Sequence, residues 1–306
     1  MKITNPRATR RSFLAQAAAG SLGLALGARA TWAASSTPTE RWQIGCYTRP
    51  WDDQDYLVAL DAIAEAGYRY VGLMTAGPKP HVLLNVNSPA KRAREVGQAC
   101  RTRGLRVASL YGGGIPVARS LQAGIDGLRR LIDHCVACGA RNLLMGGLGQ
   151  KELFDPYYRA IAACCDEAAE KGVGISIKPH GGLNATGPQC RRIIERVNHP
   201  NFRIWYDPGN ILYYSDGKLD PVEDASTVRG LVTGMCVKDY RHPKNVMVTP
   251  GTGQVDFPGV MRKLWAGGFH RGPLVVETLA RVPLEKRTAE ARKTRRWLEQ
   301  LVQGLG

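Results

Sequence analysis

From residue 42 onward the chain repeats one unit: a short apolar run, a longer amphipathic stretch, then a glycine. The apolar runs fall at 42–47, 68–74, 106–111, 142–145, 173–178, 202–207, 232–238 and 274–277. They are β-branched or wholly apolar, the pattern of parallel strands covered on both faces. Between them apolar residues recur three and four apart, as in Tyr56-Leu57-Ala59-Leu60-Ile63, Leu128-Leu131-Ile132-Cys135 and Val260-Met261-Leu264. That spacing lines one face of a helix. Gly67, Gly104, Gly139, Gly172 and Gly268 each stand a few residues before a strand, where a helix ends on a left-handed residue. Eight such units predict an α/β chain closed into a (β/α)8 TIM barrel, one domain over residues 35–306. No GxGxxG follows the first strand, so no nucleotide cofactor is expected.

Residues 1–34 stand apart. Thr9-Arg10-Arg11-Ser12-Phe13-Leu14 is a twin-arginine motif, followed by an uncharged stretch rich in Ala, Leu and Gly from 15 to 28. Ala28-Arg29-Ala30 offers a small-x-small cleavage site, and the stretch ending at Ala33 offers another. Charge, apolar run and cleavage site in that order predict a Tat-type signal peptide with a short linker. The expected partner is the Tat export machinery, and the expected location is periplasmic or secreted. The apolar run is too short for a stable membrane anchor.

Removing the five cations of that segment lowers the formal net charge from +16 to +11. A basic surface admits nucleic acid as a partner, but no zinc finger, RNA-recognition motif or aromatic-basic run is present. Lys91-Arg92-Ala93-Arg94 and residues 286–296 read as solvated helix faces, so no nucleic acid is expected. Cys135-Val136-Ala137-Cys138 is a lone CxxC in a helical pattern and reads as packing, not zinc or redox chemistry.

In a (β/α)8 barrel the chemistry sits at the C-terminal strand ends and in the loops beyond. The first strand ends in Thr48-Arg49-Pro50-Trp51 and the third in Tyr111-Gly112-Gly113-Gly114. The fifth ends in Lys178-Pro179-His180-Gly181-Gly182 and the sixth in Tyr206-Asp207-Pro208-Gly209-Asn210. The seventh ends in Cys236-Val237-Lys238-Asp239 and the eighth in Val276-Glu277. Polar groups therefore gather on strands five to eight. The long loop 239–253, with Pro243, Pro250, Gly251 and Gly253, is a candidate lid.

These segments resemble the xylose isomerase-like superfamily of sugar isomerases and epimerases. Asp207-Pro208-Gly209-Asn210 is similar to its DxGN/DxxH segment, and Val237-Lys238-Asp239 to its HVKD segment. Gly251-Thr252-Gly253-Gln254-Val255-Asp256-Phe257, then Leu264, Gly268-Phe269, Gly272 and Val276-Glu277, follow its closing pattern. The resemblance implies one divalent metal held by Glu, Asp, His and Glu from strands five to eight. Asp207 and Glu277 match that set, whereas Lys178 replaces the first Glu and Cys236 the His.

Two repairs follow. His180 shares a face with Lys178 by strand alternation, so His180, Asp207, Cys236 and Glu277 form one candidate ligand set for Mn, Zn or Mg. Alternatively the Lys178 ammonium takes the cation's place as electrostatic stabiliser, acid/base or Schiff-base amine. Lys178, His180 and Glu277 are the candidate catalytic groups. Arg49, Trp51, Tyr111, Asn210 and Lys238 are the candidate contacts to a small carbohydrate substrate. The implied activity is isomerisation or epimerisation by proton abstraction next to a carbonyl on a non-phosphorylated sugar. A keto-glycoside lyase shares the first step, and a periplasmic sugar-binding barrel without turnover is the non-enzymatic alternative. A multi-zinc DNA-repair nuclease on the same barrel needs a histidine cluster that six scattered histidines do not supply.

Overall fold

The structure, a computed structural model, describes residues 41–305 apart from Pro78 and Pro80. The twin-arginine segment and its cleavage sites lie outside the described residues. The barrel strands are β1 (Trp42–Tyr47), β2 (Tyr70–Leu73), β3 (Arg106–Tyr111), β4 (Asn142–Met145), β5 (Gly174–Ile177), β6 (Phe202–Tyr206), β7 (Val232–Val237) and β8 (Gly272–Val276). Each pairs with the next in parallel, and β8 pairs with β1, with Cys46 opposite Val276, to close the ring. Around it lie α1 (Tyr56–Glu65), α2 (Ala90–Thr102), α3 (Leu121–Cys138), α4 (Phe154–Glu170) and α5 (Gly187–Val197). After β6 come two short helices, α6 (Pro208–Ser215) and α7 (Pro221–Ser226). Two longer ones, α8 (Phe257–Ala266) and α9 (Leu284–Gln303), complete the layer. The expected (β/α)8 barrel is the fold observed.

Local chemistry starts and stops these elements as the repeat predicts. Asp55, Ser120 and Thr186 cap α1, α3 and α5 through side-chain oxygens that accept backbone N–H groups, and Gln189 completes a capping box with Thr186. All five helix-ending glycines have positive φ, where any other residue would carry a Cβ penalty. Leu128, Leu131, Ile132 and Cys135 of α3 are fully buried. Each such aliphatic side chain contributes roughly 1.5–3 kcal/mol by leaving water. The eight cysteines are all free and buried, so Cys135 and Cys138 are packing residues.

Two differences bear on function. Strands five to eight each end one residue earlier than the apolar runs suggest. The reason is that the polar residue at each end leaves the ladder for other partners. The Lys178 carbonyl accepts from Asn184 Nδ2 at 2.8 Å, and Asp207 becomes the N-cap of α6. Second, a small antiparallel ribbon pairs Thr75–Ala76 with His81–Val82 after β2. Among the described residues no helix is long and apolar enough to cross a membrane.

Candidate active site

Alternation along the strands decides what enters the barrel. Leu144, Trp205, Cys236 and Val275 belong to a small interior cluster, while Ile177, Tyr206, Val237 and Val276 pack in the main core with the helices. Two residues beyond Trp205, Cys236 and Val275 come Asp207, Lys238 and Glu277, and two beyond Ser176 comes Lys178. Four charged groups therefore enter the mouth from β5 to β8, each with no more than 2% of its surface exposed.

Charges buried this deeply must neutralise one another. Lys178 Nζ donates to Glu277 Oε2 at 2.6 Å and to Asp207 Oδ2 at 3.1 Å, with Cys236 Sγ at 3.8 Å. Lys238 Nζ lies 2.6 Å from Glu277 Oε1 and 2.9 Å from Asp207 Oδ2, and donates to Asn210 Oδ1 at 3.0 Å. From β1, Arg49 Nη1 reaches Glu277 Oε1 at 2.5 Å. Three cations thus surround two carboxylates.

The ionisation states follow. Burial works against the Lys178 charge, but Cys236, Glu277 and Asp207 outweigh it and hold its pKa well above the lysine norm. Burial also pushes the Cys236 thiol far up, so at neutral pH the two carboxylates are what keep Lys178 charged. Burial opposes the Glu277 charge too, yet Lys178, Lys238 and Arg49 bring its pKa well below the glutamate norm. Lys178 is a fixed ammonium and Glu277 a fixed carboxylate.

Asp207, Cys236 and Glu277 bring ligand atoms within 4.8 Å of one another and are the candidate metal group among the described residues. His180 is not in it. The residues do not fit a divalent ion: Lys178 Nζ already contacts all three members. A further two positive charges would enter a cluster where cations already outnumber anions. With no histidine in that group, the described residues also lack the cluster a multi-zinc nuclease requires.

A cavity of about 260 Å³ opens onto this cluster, lined on one side by Arg49, Tyr111, Lys178, His180 and Glu277. Asp52 and Thr75 line it as well, Thr75 by way of the ribbon. Burial first, then Lys178 and Lys238, push the His180 pKa down to about 4, so its imidazole is neutral at pH 7. The His180 turn is held by Asn184. Its carbonyl accepts from His180 N at 2.9 Å, and its Nδ2 donates to the carbonyls of Lys178 and Gly146. Gly146 leaves room for the Tyr111 hydroxyl, because a Cβ at that position would stand 2.7 Å from it and push it aside. A larger depression of about 560 Å³ along α9 is lined by Arg292, Lys293, Arg296 and Trp297 among others. Its described lining holds no carboxylate or imidazole to move a proton.

Of the expected sugar contacts, Arg49 and Tyr111 reach the cavity and three do not. Trp51 is fully buried in the main core, because the short 3-10 turn Arg49–Trp51 tucks the ring inward while Arg49 points to the mouth. Lys238 stands behind the carboxylates, and Asn210 Nδ2 is spent on the Pro179 carbonyl at 2.6 Å. Both position the cluster. Asp52, Thr75 and Asn184 escape the sequence reading. Asp52 follows the first strand end directly and is the one with a visible signal.

The loop expected as a lid is fastened at its base. Asp239 is fully buried, and its carboxylate accepts from Tyr240 N (2.7 Å), Gly251 N (3.0 Å), Gly253 N (2.7 Å) and Val255 N (3.0 Å). This carboxylate closes the loop on itself and touches no substrate space.

A closed barrel with its polar side chains gathered at the C-terminal strand ends has its candidate site on the face where (β/α)8 barrels carry their chemistry. The chain belongs to the xylose isomerase-like TIM barrel family, which it matches over residues 60–301. It is similar to the solved D-allulose 3-epimerase of Methylomonas sp., with 18% identity and a TM-score of 0.67 over 85% of this chain and 98% of that one. A xylose isomerase-like TIM barrel protein from Mycobacterium smegmatis, solved in complex with magnesium, gives 16% identity and a TM-score of 0.70 over 88% and 99% of the two chains. A xylose isomerase domain protein from Planctomyces limnophilus gives 20% and 0.63 over 87% and 97%. At these identities the likeness establishes the fold. No curated protein sequence matches the chain.

Proposed function

We propose that the chain is a sugar isomerase-like enzyme in which the Lys178 ammonium stands in for the metal ion that the family resemblance implies. The observation that carries this reading is Lys178 Nζ at 2.6 Å from Glu277 and 3.1 Å from Asp207, in contact with every member of the candidate metal group. The substrate is a non-phosphorylated carbohydrate with a carbonyl group. Its carbonyl oxygen faces Lys178, a fixed positive group in the cavity lining that stabilises the oxyanion formed when the neighbouring carbon loses a proton, with Arg49 adding to the positive field. His180, neutral and facing the cavity, takes that proton. Passage of the neighbouring hydroxyl's proton to that oxyanion, and return of the carbon proton to the former carbonyl carbon on the same face, complete an aldose–ketose conversion. Inversion at one carbon needs delivery to the opposite face, and Asp207 and Glu277, each held by two cations or more, are poor second bases. One mobile base therefore favours isomerase over epimerase chemistry. A Schiff base at Lys178 is disfavoured, since the nucleophile there is the neutral amine.

Proton exchange is the test. Free sugars and keto-glycosides are incubated with the protein in deuterated solvent after chelation, and carbon-bound deuterium is read by NMR. Exchange that survives chelation and disappears in Lys178→Met is expected. Exchange that appears only on adding Mg or Mn removes the ammonium reading. β-Elimination products with the same exchange identify a lyase. The saturation of both carboxylates favours one second reading, sugar binding without turnover, for which binding with no exchange on any substrate is the mark. Export rests on residues 9–14 and 15–33, and we propose it on that pattern alone. Replacing Arg10 and Arg11 by Lys should keep the protein in the cytoplasmic fraction.

A further inference from the structure

We propose that the cavity selects a sugar acid, a single monosaccharide unit bearing a carboxylate, and that Arg49 is the residue that reads the carboxylate. This deepens the reading above and rests on it for the placement of the sugar. The first observation is charge. Lys178, Lys238 and Arg49 form their ion pairs with Asp207 and Glu277, so one positive charge is left over in this largely desolvated cluster. The other cavity carboxylate, Asp52, lies 3.7 Å from Arg281 and leaves the balance unchanged.

The second observation locates the surplus. Lys238 is spent on Asp207, Glu277 and Asn210. Lys178 has its charge paired with Asp207 and Glu277 and turns toward the carbonyl oxygen's side of the cavity. Arg49 uses Nη1 on Glu277, and among the described residues its Nε and Nη2 have no partner. Those two N–H groups lie on one edge of the guanidinium, the edge that pairs with a carboxylate through two parallel hydrogen bonds. Arg49 is also the cluster's outermost cation, with 29% of its side chain exposed against 1% and 2% for the lysines, and it lines the cavity.

The third observation is the rest of the lining. Thr75 Oγ1 and Asp52 Oδ1 are buried without a hydrogen-bond partner in the wall of the same cavity. Thr75 supplies a donor and Asp52 an acceptor for sugar hydroxyls. The volume of about 260 Å³ equals roughly nine waters at ~30 Å³ each, the scale of one monosaccharide rather than a chain.

Calorimetric titration of the full protein with galacturonate and with galactose tests this. The uronate is expected to bind at least tenfold more tightly, with the preference falling below threefold in Arg49→Met, where both lysines still hold Glu277. Arg49→Lys keeps the charge and loses the two-pronged edge, so an intermediate preference is expected there, and this variant serves if the first fails to fold. Equal binding of both sugars, no binding of the uronate, or acetate binding as tightly as the uronate overturns the proposal. So does a uronate preference that persists in both variants. Binding is read without turnover, which separates the two readings. Acid preference without proton exchange defeats only the enzymatic one, and exchange on neutral sugars without acid preference defeats only this one.

Discussion

Two buried carboxylates two strands apart in sequence order, Asp207 after β6 and Glu277 after β8, contrast with a third, Asp239, after β7. Asp239 is satisfied by four backbone N–H groups drawn from its own loop. Glu277 is satisfied by long side chains from the ends of other strands, Lys178 after β5, Lys238 after β7 and Arg49 after β1, and Asp207, whose other oxygen caps α6, takes the same two lysines. Neutral donors from a local turn make a structural clasp. Ionised donors gathered from around the ring make a concentrated field at the mouth, where a cavity meets it. The same chemical group is thus put to different ends by the origin of its partners.

Removing the central cation gives the largest expected effect. Lys178→Met leaves Glu277 and Asp207 short of one counter-charge, and breaking a buried pair of this kind costs about 3–5 kcal/mol. Denaturant unfolding should show that loss, with proton exchange on sugars falling by about 10²–10³-fold. A variant with near-native stability and exchange would mean that the ammonium is peripheral. His180→Gln comes next, with a fall of about 10²–10⁴-fold in kcat/KM and little change in stability.

The pH profile sharpens that second prediction. His180 has its pKa lowered to about 4, so it is neutral and able to accept a proton above that value. Activity should stay level as pH falls from 7 towards 5 and drop tenfold per unit below about 4. A limb centred near 6.5, the ordinary histidine value, would place the imidazole in solvent. Asp239→Ala is smaller in chemistry and local in structure. A loss of about 2–3 kcal/mol is expected, with hydrogen exchange quickening at Gly251, Gly253 and Val255 while kcat holds. The smallest effect is Gly146→Ala, which should raise KM severalfold by moving the Tyr111 hydroxyl, as substrate titration would show.

The sequence made the barrel readable because its signal is repeated. Eight apolar runs, each followed by a helical face and a glycine, leave few architectures open. The cluster was readable for the same geometric reason. Period-two alternation and the strand ends place Lys178, Asp207, Cys236 and Glu277 on one rim. What alternation does not encode is reach. Lys238 shares its strand face with Cys236, but its bonds to Asp207 and Glu277 depend on barrel closure. Trp51 is a candidate sugar contact by its place after the first strand, and a three-residue turn sends it into the core instead. Thr75 came into the wall through a ribbon of two-residue strands, too short to carry a periodic pattern. The loop's fastening depends on Gly251, Gly253 and Val255 returning to Asp239, a tertiary event that proline and glycine content alone does not announce.

A cation fixed to the chain at position 178 behaves unlike one borrowed from solution. It has unit stoichiometry in every molecule, no dissociation constant and no competitor. The thermodynamic ranking that lets copper or zinc displace weaker divalent ions has nothing to act on there. Scarcity of metal, chelators and contaminating ions should leave such a centre untouched. Its strength is correspondingly set once, at a single positive charge, and only a mutation can retune it.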